Sequence, residues 1–260
     1  AGKYFLQKQK RSVGVGDAEL IRIAIKSMGL DELAPFDPAK KIIEYVMRDN
    51  SKKKLVDMDL IRFANETASE SPAPGGGSIS AYVAALGASL GTMVANLSSH
   101  KKGWDNRWDV FSKWAEQGQT YKDELLRLVD EDTIAFTKIM DAFSLPKASE
   151  EEVALRTKAI QEATVYATEI PLQTMKAANQ CFPLLKEMVV IGNPNSVSDA
   201  AVGALCIRTA MYGAYLNVKI NASGLKDKTI ADTYCAEAES LLAEAKVQET
   251  EILAITETKM

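Results

Sequence analysis

The sequence predicts an all-α protein, a bundle of about six to eight long helices preceded by a short mixed junction segment. Three observations predict it. From Leu55 onward, apolar residues recur at three- and four-residue spacing almost without interruption. No stretch of useful length alternates apolar and polar residues as a half-buried strand does. Finally, 47% of the 260 residues are hydrophobic but only 7% are aromatic, so the core has to be aliphatic, rich in alanine and closely packed.

The elements follow in order. Two glycines and a serine break the opening at Ser12-Val13-Gly14-Val15-Gly16, Asp17 caps an apolar-periodic run through Leu20, Ile21, Ile23 and Ala24, and Gly29 ends it. Pro35 and Pro38 stop helix propagation before the short run Ile42 to Val46. A polar, basic patch from Asp49 to Lys54 sets a boundary between a junction, residues 1–51, and a body, residues 52–260. Helical spacing then covers Leu55 to Ser69, Ser78 to Ser99, Arg107 to Phe143, Ser149 to Asn179, Ser196 to Ile220 and Lys226 to Thr258. Pro171 is expected to kink or split the fourth of these, and Phe182-Pro183 to start a short helix ending at Val190. The uncharged stretch 71–99 is built from Ala, Gly and Ser, too weakly hydropathic for a membrane span, and reads as a buried helix. Small residues at helix-contact spacing, Gly87 and Gly91, then Gly203, Ala210 and Gly213, let backbones approach closely, within the bundle or across to a second subunit.

Composition excludes several functions. A net charge of −4 offers no excess to neutralise a phosphate backbone, so nucleic acid is not the expected partner. Three cysteines without a CxxC pair fit neither a disulfide framework nor a zinc knuckle, and point to a reducing, cytoplasmic compartment. A single histidine, His100, excludes multi-histidine metal sites and leaves proton chemistry to carboxylates or lysines. The opening Ala1-Gly2-Lys3-Tyr4, with neither initiator methionine nor signal pattern, reads as a piece of something longer.

The strongest local anomaly is Asp132. The stripe Leu125, Leu128, Val129, Ala135, Phe136, Ile139, Met140 puts it in a core slot, whereas Asp130 and Glu131 fall off the stripe and are expected to be solvated. Desolvation raises a carboxyl pKa toward the working pH, as a general acid/base requires; a buried Asp that merely accepts hydrogen bonds is the equal alternative. Pro74-Gly75-Gly76-Gly77-Ser78 leads into a helix and offers backbone N–H groups to an anion or a polar ligand edge, or is simply a turn ending in a serine cap. Ser196 and Asp199 have capping-box spacing. Asn217 and Asn221, one turn apart, carry amides that suit a heterocycle edge, although Asn221 can equally cap its helix. Lys101, Lys102 and Arg107 make a basic patch that either solvates a helix end or steers an anionic tail. His100 reads as a surface residue.

Several of these segments together resemble one family. Glu66-Thr67-Ala68-Ser69 to Ala73-Pro74-Gly75-Gly76-Gly77-Ser78, then Ala84 to Ala88, Val129-Asp130-Glu131-Asp132 to Ala135-Phe136, and Gly213-Ala214-Tyr215 to Asn217-Val218 and Ile220-Asn221 resemble the cyclodeaminase domain of formiminotransferase-cyclodeaminase. Gly29 to Pro38 and Ile42 to Tyr45 resemble the tail of the formiminotransferase half and its junction. The resemblance implies an all-α homodimer that converts 5-formimidoyltetrahydrofolate to 5,10-methenyltetrahydrofolate and ammonia, in histidine breakdown and one-carbon supply. It places the catalytic aspartate on Asp132 and implies neither metal nor redox cofactor. With it, Gly75, Gly76, Gly77, Ser78, Asp199 and Asn217 are expected to contact the pterin or reacting face, and Lys101, Lys102 or Arg107 to attract a polyglutamate tail. No catalytic role carries over to His100. Two rivals remain: a methenyltetrahydrofolate cyclohydrolase, which would not need the transferase tail, and a non-catalytic helical module that holds an assembly together.

Overall fold

A computed structural model describes residues 1–47 and 54–260. Apart from Lys54, the basic boundary patch lies outside the described residues. Among the described residues there is no strand, so the junction expected to be mixed is helical and irregular only. It holds α1 (Gly2–Lys8), α2 (Asp17–Ser27) and the single turns α3 (Pro38–Lys41) and α4 (Ile43–Val46). Gly16, not Asp17, is the N-cap of α2; Asp17 and Glu19 sit in its first turn, where the helix dipole favours them. Gly29, at φ +66°, supplies the left-handed residue just past its end.

The body comprises α5 (Leu60–Thr67), α6 (Gly76–Ser99), α7 (Trp108–Ser144), α8 (Glu150–Asn179), α9 (Cys181–Ile191), α10 (Val197–Ser223) and α11 (Lys228–Glu257). The expected helix from Leu55 is interrupted: Leu55–Asp57 make one 3₁₀ turn, and Asp59 restarts the helix by accepting the Arg62 N–H at 2.9 Å. A capping box opens α8, with Ser149 and Glu152 accepting each other's backbone N–H, worth about 1 kcal/mol. The helix then runs through Pro171 without splitting.

Helix α6 is the centre. It is long and apolar enough to cross a membrane, yet most of it is buried against α7 and α10. Both neighbours run antiparallel to it: Ser78 meets Asp132 and Thr92 meets Gly118 on α7, while Gly76 meets Asn217 and Gly87 meets Gly203 on α10. At the last pair the backbones touch, since a methyl on Gly87 would stand 2.8 Å from the Gly203 oxygen. Helix α8 packs against both α7 and α10, α11 lies along α10 and also meets α8 and α9, and α9 packs against α6, α10 and α11.

Residues 12–16 strap the junction to α6 and α7. The Val13 N–H donates to Ser112 Oγ at 3.0 Å, and the Gly14 carbonyl accepts from Asn96 Nδ2 at 2.7 Å and Gln119 Nε2 at 3.1 Å. The Ser12 N–H donates to His100 Nε2 at 3.1 Å, so the imidazole must stay neutral. Burial, and secondarily the Arg11 guanidinium, push His100 below its ordinary 6.5. A base whose folded pKa is depressed binds fewer protons folded than unfolded, so its contribution is complete above about pH 6.5 and lost as pH falls below that value. The unfolding midpoint is therefore expected to drop between about pH 8 and pH 5.5. Thermal melts of His100→Gln, which keeps an acceptor, should show a shallower slope; identical slopes would remove His100 as the cause.

Candidate active site

Asp132 lies about two-thirds of the way along α7, opposite the first turn of α6. Its Oδ2 accepts from Ser78 Oγ at 2.8 Å, and the Ser78 backbone N–H adds a second bond. Helix α6 starts at Gly76 with Gly75 as N-cap, so Ser78 is not the cap but a fully buried residue of the first turn. The carboxylate thus faces the free N–H groups and positive end of a 24-residue helix. It gets this close because Gly77 has no side chain: a Cβ there would lie 2.1 Å from Asp132 Oδ1.

Burial pushes the Asp132 carboxyl above its ordinary 3.8, against the opposing pull of the Ser78 hydroxyl and N–H. Among the described residues no lysine or arginine pairs with it. This acid is partly desolvated, without a counter-ion, and held by a donor on one oxygen, an arrangement suited to taking and returning a proton.

A cavity of about 110 Å³ opens beside it, lined by Pro72, Gly75, Gly76, Gly77, Asp132, Ala135, Phe136, Ile139, Ala167, Asn217 and Asn221. Its lining is polar at the glycine turn, the acid and the two amides, and apolar at Phe136 and Ile139, which follow Asp132 on the same face of α7. That volume admits part of a heterocyclic ring rather than a whole folate. A larger cavity, about 570 Å³, lies near the strap among Asn96, His100, Gln119 and Lys122 and contains no carboxylate. No cluster that could hold a metal ion occurs among the described residues.

The structure thus gathers Asp132, Gly75, Gly76, Gly77, Ser78 and Asn217 at one place. It does not bring the remaining candidates there. Lys101, Lys102 and Arg107 follow the C-terminus of α6, roughly 35 Å from the glycine turn at 1.5 Å per residue. Lys101 Nζ donates to Asn193 Oδ1 at 3.1 Å, and both Lys101 and Arg107 stack on Trp104, so they pin the turn before α10. Asp199, in the first turn of α10, is roughly 27 Å along that helix from Asn217. The capping box expected of Ser196 and Asp199 is not made either, because Pro194–Ser196 form a 3₁₀ turn and Ser196 caps without a side-chain bond.

Asp130 is a further correction. It is half-buried rather than fully solvated: its Oδ1 accepts the Leu55 N–H at 2.7 Å, and burial pushes its carboxyl up as well. Glu131, half-buried, accepts from Tyr166 and Arg127. Asn221 proves not to be a helix cap, since α10 continues to Ser223. The Ser78 hydroxyl is held by Asp132 rather than offered to a ligand; Phe136, which the helical spacing marked only as core, and Pro72, which no sequence argument singled out, line the cavity. Cys181 is no nucleophile, since burial pushes its thiol up to about 12.

Comparison with known proteins places the chain in one family. The family described as "Formiminotransferase-cyclodeaminase" matches residues 59–240, and "Formiminotransferase domain" matches residues 1–48. The formimidoyltransferase-cyclodeaminase of Rattus norvegicus is 35% identical over 260 residues, covering 100% of this chain and 48% of its own length. A methenyltetrahydrofolate cyclohydrolase of Methylorubrum extorquens is 37% identical over 183 residues, 70% of this chain and 88% of that protein. The crystal structure of a formiminotetrahydrofolate cyclodeaminase from Thermotoga maritima superposes with a TM-score of 0.70 at 25% identity, covering 79% of this chain and 98% of that one. The chain spans about half the length of the bifunctional relatives it matches.

Proposed function

Because the chain belongs to the formiminotransferase-cyclodeaminase family, an enzyme family, we propose that it is a formimidoyltetrahydrofolate cyclodeaminase, an ammonia-lyase acting on 5-formimidoyltetrahydrofolate with Asp132 as general acid/base. One observation carries the site assignment: Asp132 is a partly buried acid at a helix N-terminus, without a basic partner among the described residues and open to a cavity.

The chemistry balances with substrate and carboxylate alone. The formimidoyl group enters as its protonated amidinium, N5–CH=NH2+; N10 of the folate attacks its carbon, forming a C–N bond as the C=N π bond opens onto the nitrogen, and the N10 proton passes to the Asp132 carboxylate. The same carboxyl returns it to the amino nitrogen of the adduct. The C–N bond to that nitrogen then breaks, ammonia departs, and the 5,10-methenyl cation forms next to the ionised acid, which stabilises it. No metal or redox cofactor enters these steps.

Residues 52–260 form the cyclodeaminase domain in this reading, and residues 1–51 the tail of a formiminotransferase domain with its linker. The cytoplasm remains the proposed compartment, supported by three cysteines that stay unbonded. A polyglutamylated folate remains the proposed substrate form; within one chain Lys101, Lys102 and Arg107 lie at the far end of α6 from the cavity, and Lys138, exposed beside Ile139 and stacked on Tyr166, is nearer its wall. A homodimer is supported by α6 and α10, which lie side by side and expose Leu86, Leu97, Val202, Leu205 and Leu216.

The test is an absorbance assay for methenyl-folate from 5-formimidoyltetrahydrofolate, on protein whose dimeric mass is checked by sedimentation. Turnover is expected. A folded dimer that forms no product but hydrolyses added methenyl-folate would transfer the assignment to the cyclohydrolase reaction of the bacterial relative, and one that does neither would leave a helical scaffold.

A further inference from the structure

Pro171 sits inside α8 and has no N–H, so the carbonyl of Ala167, four residues earlier, lacks its helical donor. Asn221 of α10 takes the vacant place: its Nδ2 donates to the Ala167 oxygen at 2.7 Å. A carbonyl only accepts, so the nitrogen must face it and the amide cannot turn over without orphaning that oxygen. Asn217, one turn earlier, is oriented similarly by its own helix, with Nδ2 donating to the Gly213 carbonyl at 2.9 Å. Both residues line the cavity that holds Asp132. Among the described residues neither Oδ1 accepts a hydrogen bond, and neither is a buried orphan. The result is two acceptors of fixed orientation on successive turns, with Cβ atoms about 5–6 Å apart.

We propose that Asn221, together with Asn217, reads the N–H edge of the tetrahydropterin, and that Pro171 is a positioning residue that holds the Asn221 amide in register. The proposal rests on the folate reading above. A tetrahydropterin presents two donors on one edge, the 2-amino group and N8–H, on either side of N1. A fully oxidised pterin lacks N8–H. Two outward-facing acceptors therefore select for the reduced ring and orient N5 and N10 relative to the acid. Because the edge is the same in ground state and transition state, the pair governs KM more than kcat.

Pro171→Ala is the test that does not touch the ligand. It restores an N–H at position 171, which bonds the Ala167 carbonyl and releases the Asn221 amide. Expected is a KM for 5-formimidoyltetrahydrofolate raised roughly 3- to 10-fold, the worth of one neutral hydrogen bond. The kcat should change by less than about 2-fold, and the unfolding midpoint should not fall, because alanine suits a helix interior better. Asn221→Ala should raise KM to a similar extent. In the double variant Ala167 regains its donor, so it folds, and its KM should match that of Asn221→Ala alone, since both changes act through one amide. Calorimetric titration with folic acid and with 5-formyltetrahydrofolate should show wild type favouring the reduced ligand, and Asn221→Ala losing part of that preference. A wild-type KM in Pro171→Ala, or additive effects in the double variant, overturns the proposal while leaving the folate reading intact. Absence of any methenyl-folate from wild type overturns both.

Discussion

Asp132→Asn is expected to lower ammonia release by at least ~100-fold and to leave the bundle folded. The amide matches the carboxylate in shape and can keep the bond from Ser78 Oγ, whose acceptor becomes the amide oxygen. It cannot accept the N10 proton or carry negative charge beside the methenyl cation. Stability should move the other way. A carboxyl whose folded pKa lies above its unfolded value is ionised at neutral pH at the expense of the folded state, a cost absent when both states are protonated. The variant should therefore melt at or above the wild-type temperature near neutrality, with the advantage vanishing toward about pH 3.8 and below. Near-wild-type turnover would remove Asp132 from the mechanism.

Gly77→Ala should be comparably damaging for a steric reason. The new methyl would stand 2.1 Å from Asp132 Oδ1 and 2.6 Å from its Cγ, inside any permitted contact. Gly77 is helical, so no unusual backbone angle is involved, and alanine would otherwise favour the helix. Something has to yield, either the carboxylate or the crossing of α6 over α7, and a displacement of about 1 Å costs on the order of 100-fold in rate. Gly16→Ala is the matched control, because nothing lies within 4 Å of the methyl it would add. Equal kcat/KM in the two variants would show that the close approach at Gly77 has no catalytic consequence.

Much of this was legible in the sequence. A period of 3.6 requires only one helix's own residues, so the long helices, the core stripe of α7 and the intrusion of Asp132 into it were visible directly. What depended on a second element was not. Asp130 falls off its own stripe, but the turn at Leu55 covers it from outside. Ser78 looked like a cap because serine before an apolar run usually is one, yet the helix starts two residues earlier, where Gly75 leaves its first N–H groups to Asp132. Lys101, Lys102, Arg107 and Asp199 stand apart from the acid within the chain for a reason the sequence did contain. Helices α6 and α10 are rigid rulers, and counting residues from the glycine turn or from Asn217 already puts these charges at the opposite end. The consequence of Pro171 was also hidden, because the group that compensates for its missing N–H comes from a residue 50 positions later, Asn221.

The glycine contacts at the heart of the bundle bear on how this scaffold can diversify. Where Gly87 meets Gly203 the backbones touch, and where Gly77 meets Asp132 the one intervening side chain is the acid itself, so neither contact leaves a side chain free to be trimmed or exchanged to shift the crossing. Adaptation to a new ligand is consequently channelled to the rim, at Pro72, Phe136, Ile139 and the two asparagines, which line the cavity without supporting the acid. Libraries that randomise the rim should yield folded proteins with altered specificity, whereas those that randomise the inner glycines should mostly return misfolded chains. The protein separates the part that fixes the proton-transfer geometry from the part that selection can vary.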